Sequence, residues 1–95
     1  MHIQISSVAD LGLAVRAVRQ SSHVRLDDLA ATVNLSKQFT QDVEYGKPTV
    51  QMGLVLKLLE ELGIPLVLDL PASACGKLQE LKSKGLRPLK SRQGV

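Results

Sequence analysis

Apolar positions recur with a helical period through most of this chain. Val8, Leu11, Val15 and Val18 are spaced three and four apart and predict a first helix that starts after Ser7 and ends near Gln20. Ser7-Val8-Ala9-Asp10 has the form of a capping box, a hydroxyl N-cap with its acid three residues on, although Asp is shorter than the usual Glu. Leu26, Leu29, Ala30 and Val33 predict a short second helix, with Asp27 and Asp28 in its first turn, where the helix dipole favours acids. Asn34 follows, a residue that tolerates the left-handed conformation at a helix stop. Ser36 reads as the N-cap of a third helix from Lys37 to about Tyr45, closed by Gly46 and Pro48. In the fourth, Thr49 reads as the cap, and Val50, Leu54, Val55, Leu58, Leu59 and Leu62 make the widest apolar stripe, the predicted core, up to Gly63.

After Gly63 the period becomes alternating. Leu66, Leu68 and Leu70 fall on one face and Val67 and Asp69 on the other, with Pro65 where a strand's first residue or an edge tolerates it. Ile3 and Ile5 alternate in the same way near the N-terminus. A lone short strand is unstable in water, so these segments are expected to pair with each other or with a second chain. The fold predicted is mainly α: four helices, a short C-terminal strand and an N-terminal strand building an intersubunit sheet in a homodimer. Residues 1–70 form the compact unit. Residues 71–95 hold one weak helical pair, Leu78 with Leu81, and are expected to be a mobile tail when alone.

Charge divides along the same boundary. Residues 1–70 carry six Lys or Arg against eight Asp or Glu, whereas residues 71–95 carry six against one. Lys77, Lys82, Lys84, Arg87, Lys90 and Arg92 would be drawn to phosphate by electrostatics alone, or serve only as a solvated basic tail.

With 95 residues the chain makes one small domain. No segment has the length of an apolar membrane span or the pattern of a secretory signal, which points to an intracellular, cytoplasmic protein without a membrane partner. The single cysteine, Cys75, has no companion for a disulfide or a metal site. His2 and His23 lack a nucleophile or metal companion, and the adjacent Asp27 and Asp28 diverge on a helix. No glycine loop is built to cradle phosphates. Neither catalysis nor a cofactor is expected.

The run RLDDLAATVNLSKQFTQDVEYGKPTVQMGLVLKLLEELGI resembles the helix-turn-helix domain of the phage-repressor (XRE/Cro) family, and more closely the HipB-type antitoxins that accompany HipA-like kinases. The resemblance covers about residues 7–70. It rests on the Leu29-Ala30 pair, the Ser36-Lys37-Gln38-Phe39 opening, Val43-Glu44 with Gly46-Lys47-Pro48, and the Val55 to Ile64 run entering a strand. It implies a lambda-repressor-like bundle whose third helix lies in the major groove of operator DNA. Phe39 and Val43 would pin that helix, Tyr45 would cover its end, and Lys37, Gln38 and Gln41, with Thr40 nearby, would read bases. Ser36, Lys47 and Thr49 would hold phosphates, and Arg19 with Glu44 would form a structural ion pair. In one departure, Leu26 stands where many relatives begin the second helix with a phosphate-binding Gln.

The resemblance implies a bacterial, nucleoid-associated autorepressor and antitoxin with two partners, double-stranded operator DNA and a HipA-like serine/threonine kinase toxin. The missing Gln favours a different emphasis, a protein-binding inhibitor with DNA binding secondary. A stand-alone regulator or an RNA binder are weaker alternatives, since no exposed aromatic platform is evident for stacking bases.

Overall fold

The computed structural model describes residues 1–85. Four helices form the body: α1 (Val8–Ser21), α2 (Leu26–Thr32), α3 (Lys37–Glu44) and α4 (Met52–Glu61). A 3-10 turn (Ala72–Ala74) leads into a fifth, α5 (Cys75–Lys84), in the segment where sequence suggested only one weak helical pair. None of the side chains of α5 is buried. Arg87, Lys90 and Arg92 of the basic cluster lie outside the described residues.

The core is aliphatic. Val15, Leu29, Val33, Val43, Val55, Leu58 and Leu59 are buried together, and Leu11, Val24, Leu35, Phe39, Val50, Leu62 and Ile64 pack against them. Each of the four body helices contributes to this cluster, with α4 supplying Val55, Leu58 and Leu59.

Local chemistry sets the helix ends. Ser7 Oγ accepts the Asp10 N–H at 3.1 Å, one half of a capping box. The short Asp10 side chain reaches further back, to Ser6. Its carboxylate takes the N–H and the hydroxyl of Ser6, each at 3.0 Å. These bonds, led by the Ser6 N–H, hold Asp10 below the ordinary aspartate range. What they add to stability is therefore present above the unfolded aspartate pKa and is lost only as pH falls through the depressed folded value.

All four body helices stop in the same way, with a residue of positive φ that lets two trailing N–H groups bond back to the last turn. The left-handed residues are His23 (φ 57), Asn34 (φ 58), Gly46 (φ 77) and Gly63 (φ 70). The N–H groups of Val24, Leu35, Lys47 and Ile64, one residue later, reach Arg19, Ala30, Asp42 and Leu59 carbonyls at 3.2, 2.9, 2.9 and 2.9 Å. Three of those four residues are apolar and turn back into the core. The exception is Lys47, which stays exposed after α3.

Two expectations are corrected. Thr49 is not the cap of α4: Pro48 and Thr49 form a turn, and Gln51 occupies the N-cap without a side-chain bond. The chain has no strand among the described residues, because Ile3, Ile5 and Leu66 to Leu70 have no partner edge within one chain. Leu66, Val67, Leu68 and Leu70 instead remain exposed, and Ile3 and Ile5 flank an open groove along α1 with Leu13, Ala14 and Ala17.

Gly12 is where α1 and α3 meet most closely. A methyl group there would lie 2.8 Å from the Glu44 carbonyl oxygen and still nearer that of Val43. Gly12→Ala should therefore destabilise by about 1–3 kcal/mol through overpacking, although alanine favours an isolated helix. Gly53→Ala, with nothing within 4 Å, should be neutral or stabilising by up to about 1 kcal/mol. Urea denaturation of both variants checks the contrast, and equal effects would contradict this helix contact.

Candidate nucleic-acid interface

Helix α3 divides cleanly between two environments. Phe39, Thr40, Val43 and Glu44 face the body, with Thr40, Val43 and Glu44 buried. Lys37 and Gln38 are exposed and Gln41 is half-buried; Gln38 and Gln41, three apart, share the outer face, and Lys37 is exposed at the helix start.

Thr40, grouped above with the base-reading residues, does not belong with them. It is fully buried, and its hydroxyl donates to the Ser36 carbonyl at 3.0 Å. Tyr45 does not cover the helix end either. It is 70% exposed, with the Arg16 guanidinium 4.6 Å from its ring centroid in a cation-π contact.

The start of α3 is arranged for anions. Ser36 Oγ accepts the Phe39 N–H at 2.9 Å, which leaves its own O–H available to donate outward. The N–H groups of the first helical turn lack helical acceptors, and they carry the positive end of the dipole. At the other end of α3, Lys47 and Thr49 are exposed in the connection to α4. The α2 N-terminus contributes less. Leu26 is half-buried, and the preceding Arg25 is engaged by Asp27.

What holds this surface in place is a buried ion pair. Arg19 on α1 donates through Nε and NH2 to the two Glu44 carboxylate oxygens, at 2.5 and 2.9 Å, and through NH1 to the Val24 carbonyl at 2.9 Å. The side chains are 13% and 3% exposed, so the pair is not of the exposed surface kind that contributes little to stability. The hydrogen bond to Glu44 raises the Arg19 pKa further, and the guanidinium stays charged at every accessible pH. Arg16 adds a second connection, donating to the Glu44 backbone carbonyl at 3.1 Å.

Sequence reasoning missed Arg16, Asp42 and Gly12. Arg16 carries a legible signal, since it lies three residues before Arg19 and so on the same face of α1. Asp42 likewise lies four residues after Gln38. Gly12 carries none, because only the position of α3 makes its missing side chain necessary.

No group of three or more His, Cys, Asp or Glu side chains among the described residues could hold a metal ion. Cys75 is exposed and unpaired with another cysteine. No helix among the described residues is long and apolar enough to cross a membrane.

No protein-family profile matches the chain. Over 60 residues, 63% of this chain and 79% of the relative, it is 43% identical to y4mF, an uncharacterised HTH-type transcriptional regulator of Sinorhizobium fredii (strain NBRC 101917 / NGR234). Its fold is similar to that in a HipB-O4 20mer complex, with TM-score 0.66, 20% identity, and coverage of 72% of this chain and 96% of that one. It is similar also to a chain in a HipA-HipB-O2-O3 complex, with TM-score 0.67, 20% identity and coverage of 72% and 96%.

Removing one partner of the buried pair leaves a charge uncompensated. Glu44→Ala should cost about 3 kcal/mol, at the low end of the range for such pairs because Arg19 keeps some access to water. Arg19→Met combined with Glu44→Leu should cost less than Glu44→Ala alone, since neither charge is then buried. Urea unfolding of the single and double variants measures this, and simple addition of two large losses would contradict the clamp.

Proposed function

Because the chain belongs to the family of HTH-type transcriptional regulators, we propose that it is a sequence-specific DNA-binding repressor that acts as the antitoxin of a HipA-like kinase and represses its own operon. The observation that carries this reading is the division of α3, with Phe39, Val43 and the buried Glu44 fixing one side, Gln38 and Gln41 presented on the other, and Lys37 exposed at the helix start. Lys can donate to guanine O6 and N7, and Gln can pair its amide with adenine, so the presented residues match major-groove chemistry. Ser36, the α3 N-terminus, Lys47 and Thr49 then take phosphates on either side and set the register.

A dimer would place two such helices on half-sites about one helical turn, roughly 34 Å, apart on a pseudo-palindrome. The exposed Leu66, Leu68 and Leu70 are the edge through which a second copy would pair, and Ile3 and Ile5 are a candidate second edge. The basic segment after Pro71 would add phosphate contacts. Within its described part, Lys77 and Lys84 lie 3.0 and 3.4 Å from Glu80, and Lys82 is exposed.

A protein-binding role is supported by a separate observation, the large apolar side chains in water: Leu13 on α1, Met52 and Leu56 on α4, and the Leu66 to Leu70 segment. The fold likeness to a chain in a complex of HipA, HipB and operators makes a kinase of that type the partner to test.

Fluorescence anisotropy on DNA from upstream of the gene tests the DNA reading. Wild type should bind tightly and with steep salt dependence, and Gln38→Ala with Gln41→Ala should lower affinity for that DNA by about 1–3 kcal/mol per lost base contact while sparing binding to random DNA. Equal weak binding by both proteins would leave kinase inhibition as the main role. Sedimentation of Leu68→Lys should show a monomer where wild type is a dimer, and an unchanged dimer would exclude this edge.

A further inference from the structure

Two of the donors that the DNA-binding reading assigns to the groove and the phosphates, Gln38 and Lys47, are already engaged by this chain's own Asp42, and the inference here rests on that reading. Gln38 Nε2 donates to Asp42 Oδ1 at 2.9 Å. Lys47 Nζ lies 3.6 Å from Asp42 Oδ2. One carboxylate therefore holds a base-reading amide and a phosphate-seeking cation at the same time. At the neighbouring helix start, Arg25 forms a two-bond pair with Asp27 at 3.2 and 3.1 Å.

Asp42 is well placed to keep this hold. It lies one helical turn after Gln38 on the same side of α3, and its backbone carbonyl accepts the Lys47 N–H at 2.9 Å, which ties the following loop to it. Its side chain is 23% exposed, against 57% for Lys47, so the carboxylate is the anchored member and the lysine the movable one.

We propose that Asp42 is an affinity-limiting residue, an internal competitor for Gln38 and Lys47 that DNA of any sequence must displace. Any duplex offers Lys47 a phosphate oxygen. Entering the groove also brings the Asp42 charge toward phosphates and takes the Gln38 amide out of its existing bond, and both cost free energy on every sequence. A base pair with acceptor and donor at the right edge restores what Gln38 loses, whereas a non-matching one leaves the amide unpaired. The penalty is thus common to all sites, whereas the compensation comes from the base and not from Asp42. Asp27 acts in the same sense on Arg25, a cation with no assigned base. The hydrogen bond from Arg25 holds Asp27 below the ordinary aspartate range.

The test uses the full chain and two labelled duplexes of equal length, one from upstream of its gene and one scrambled, at three salt concentrations. Asp42→Asn keeps the size and an oxygen to accept from Gln38 and removes only the charge. It should bind both duplexes about fivefold tighter and leave their ratio unchanged, within the range an exposed pair can contribute. Its salt dependence should steepen by about one phosphate contact as Lys47 is released. Asp27→Asn should strengthen both duplexes alike. Thermal melts of both variants close to wild type would show that the fold is kept. Selective wild-type binding with the affinity of Asp42→Asn unchanged on both duplexes overturns this inference alone, while no wild-type binding to either duplex overturns the DNA-binding reading and this inference with it.

Discussion

The arrangement of this molecule depends on the Glu44 carboxylate, buried at the end of α3 and bonded through both oxygens to Arg19 of α1. A charge in that position is tolerable only while its partner is held in the right geometry, so the pair fixes distance and orientation together. Gly12 lets the α1 backbone approach the Val43 and Glu44 carbonyls, and Arg16 bonds the Glu44 carbonyl from the same side. Together these contacts set the angle at which the outer face of α3 is offered. The aliphatic core supplies most of the burial, but a core of Val and Leu alone would tolerate small rotations of an eight-residue helix that the ion pair does not.

The same helix carries two kinds of constraint at its ends. Ser36 satisfies an N–H at the start, and its side chain is exposed. At the finish, the left-handed Gly46 sends the next N–H back to Asp42, as His23, Asn34 and Gly63 do for the other helices. In those three cases the next residue is apolar and returns to the core. After α3 it is Lys47, so the helix that carries Gln38 and Gln41 is also the one whose stop signal is followed by a cation in solvent.

Much of this was legible in the sequence because it is local. The hydroxyl caps Ser7 and Ser36, the stops at Asn34, Gly46 and Gly63, and the α4 stripe follow from residue type and spacing. The His23 stop was less legible, since histidine is not a default left-handed residue. Thr40 and Tyr45 were misassigned for one reason: a polar or aromatic residue on a short helix gives no sign of its environment until the neighbouring helix is placed. The helical part of residues 71–85 was underestimated because its face has only Leu78 and Leu81, and it forms with no buried side chain. The Leu66 to Leu70 segment shows the complementary limit. Its alternation calls for a partner edge, and one chain cannot provide the second copy that such an edge would need.

The most direct measurement is a titration of isotopically labelled protein with the upstream duplex, followed by the amide and side-chain resonances of each residue. Perturbations concentrated at Ser36, Lys37, Gln38, Gln41 and Lys47, with the Arg19–Glu44 contact intact, are the result expected if the α1-held face of α3 reads DNA. Perturbations confined to the outer side of α1 or to Leu66 to Leu70, with the α3 signals unmoved, would contradict it and assign the interface to the apolar surfaces instead.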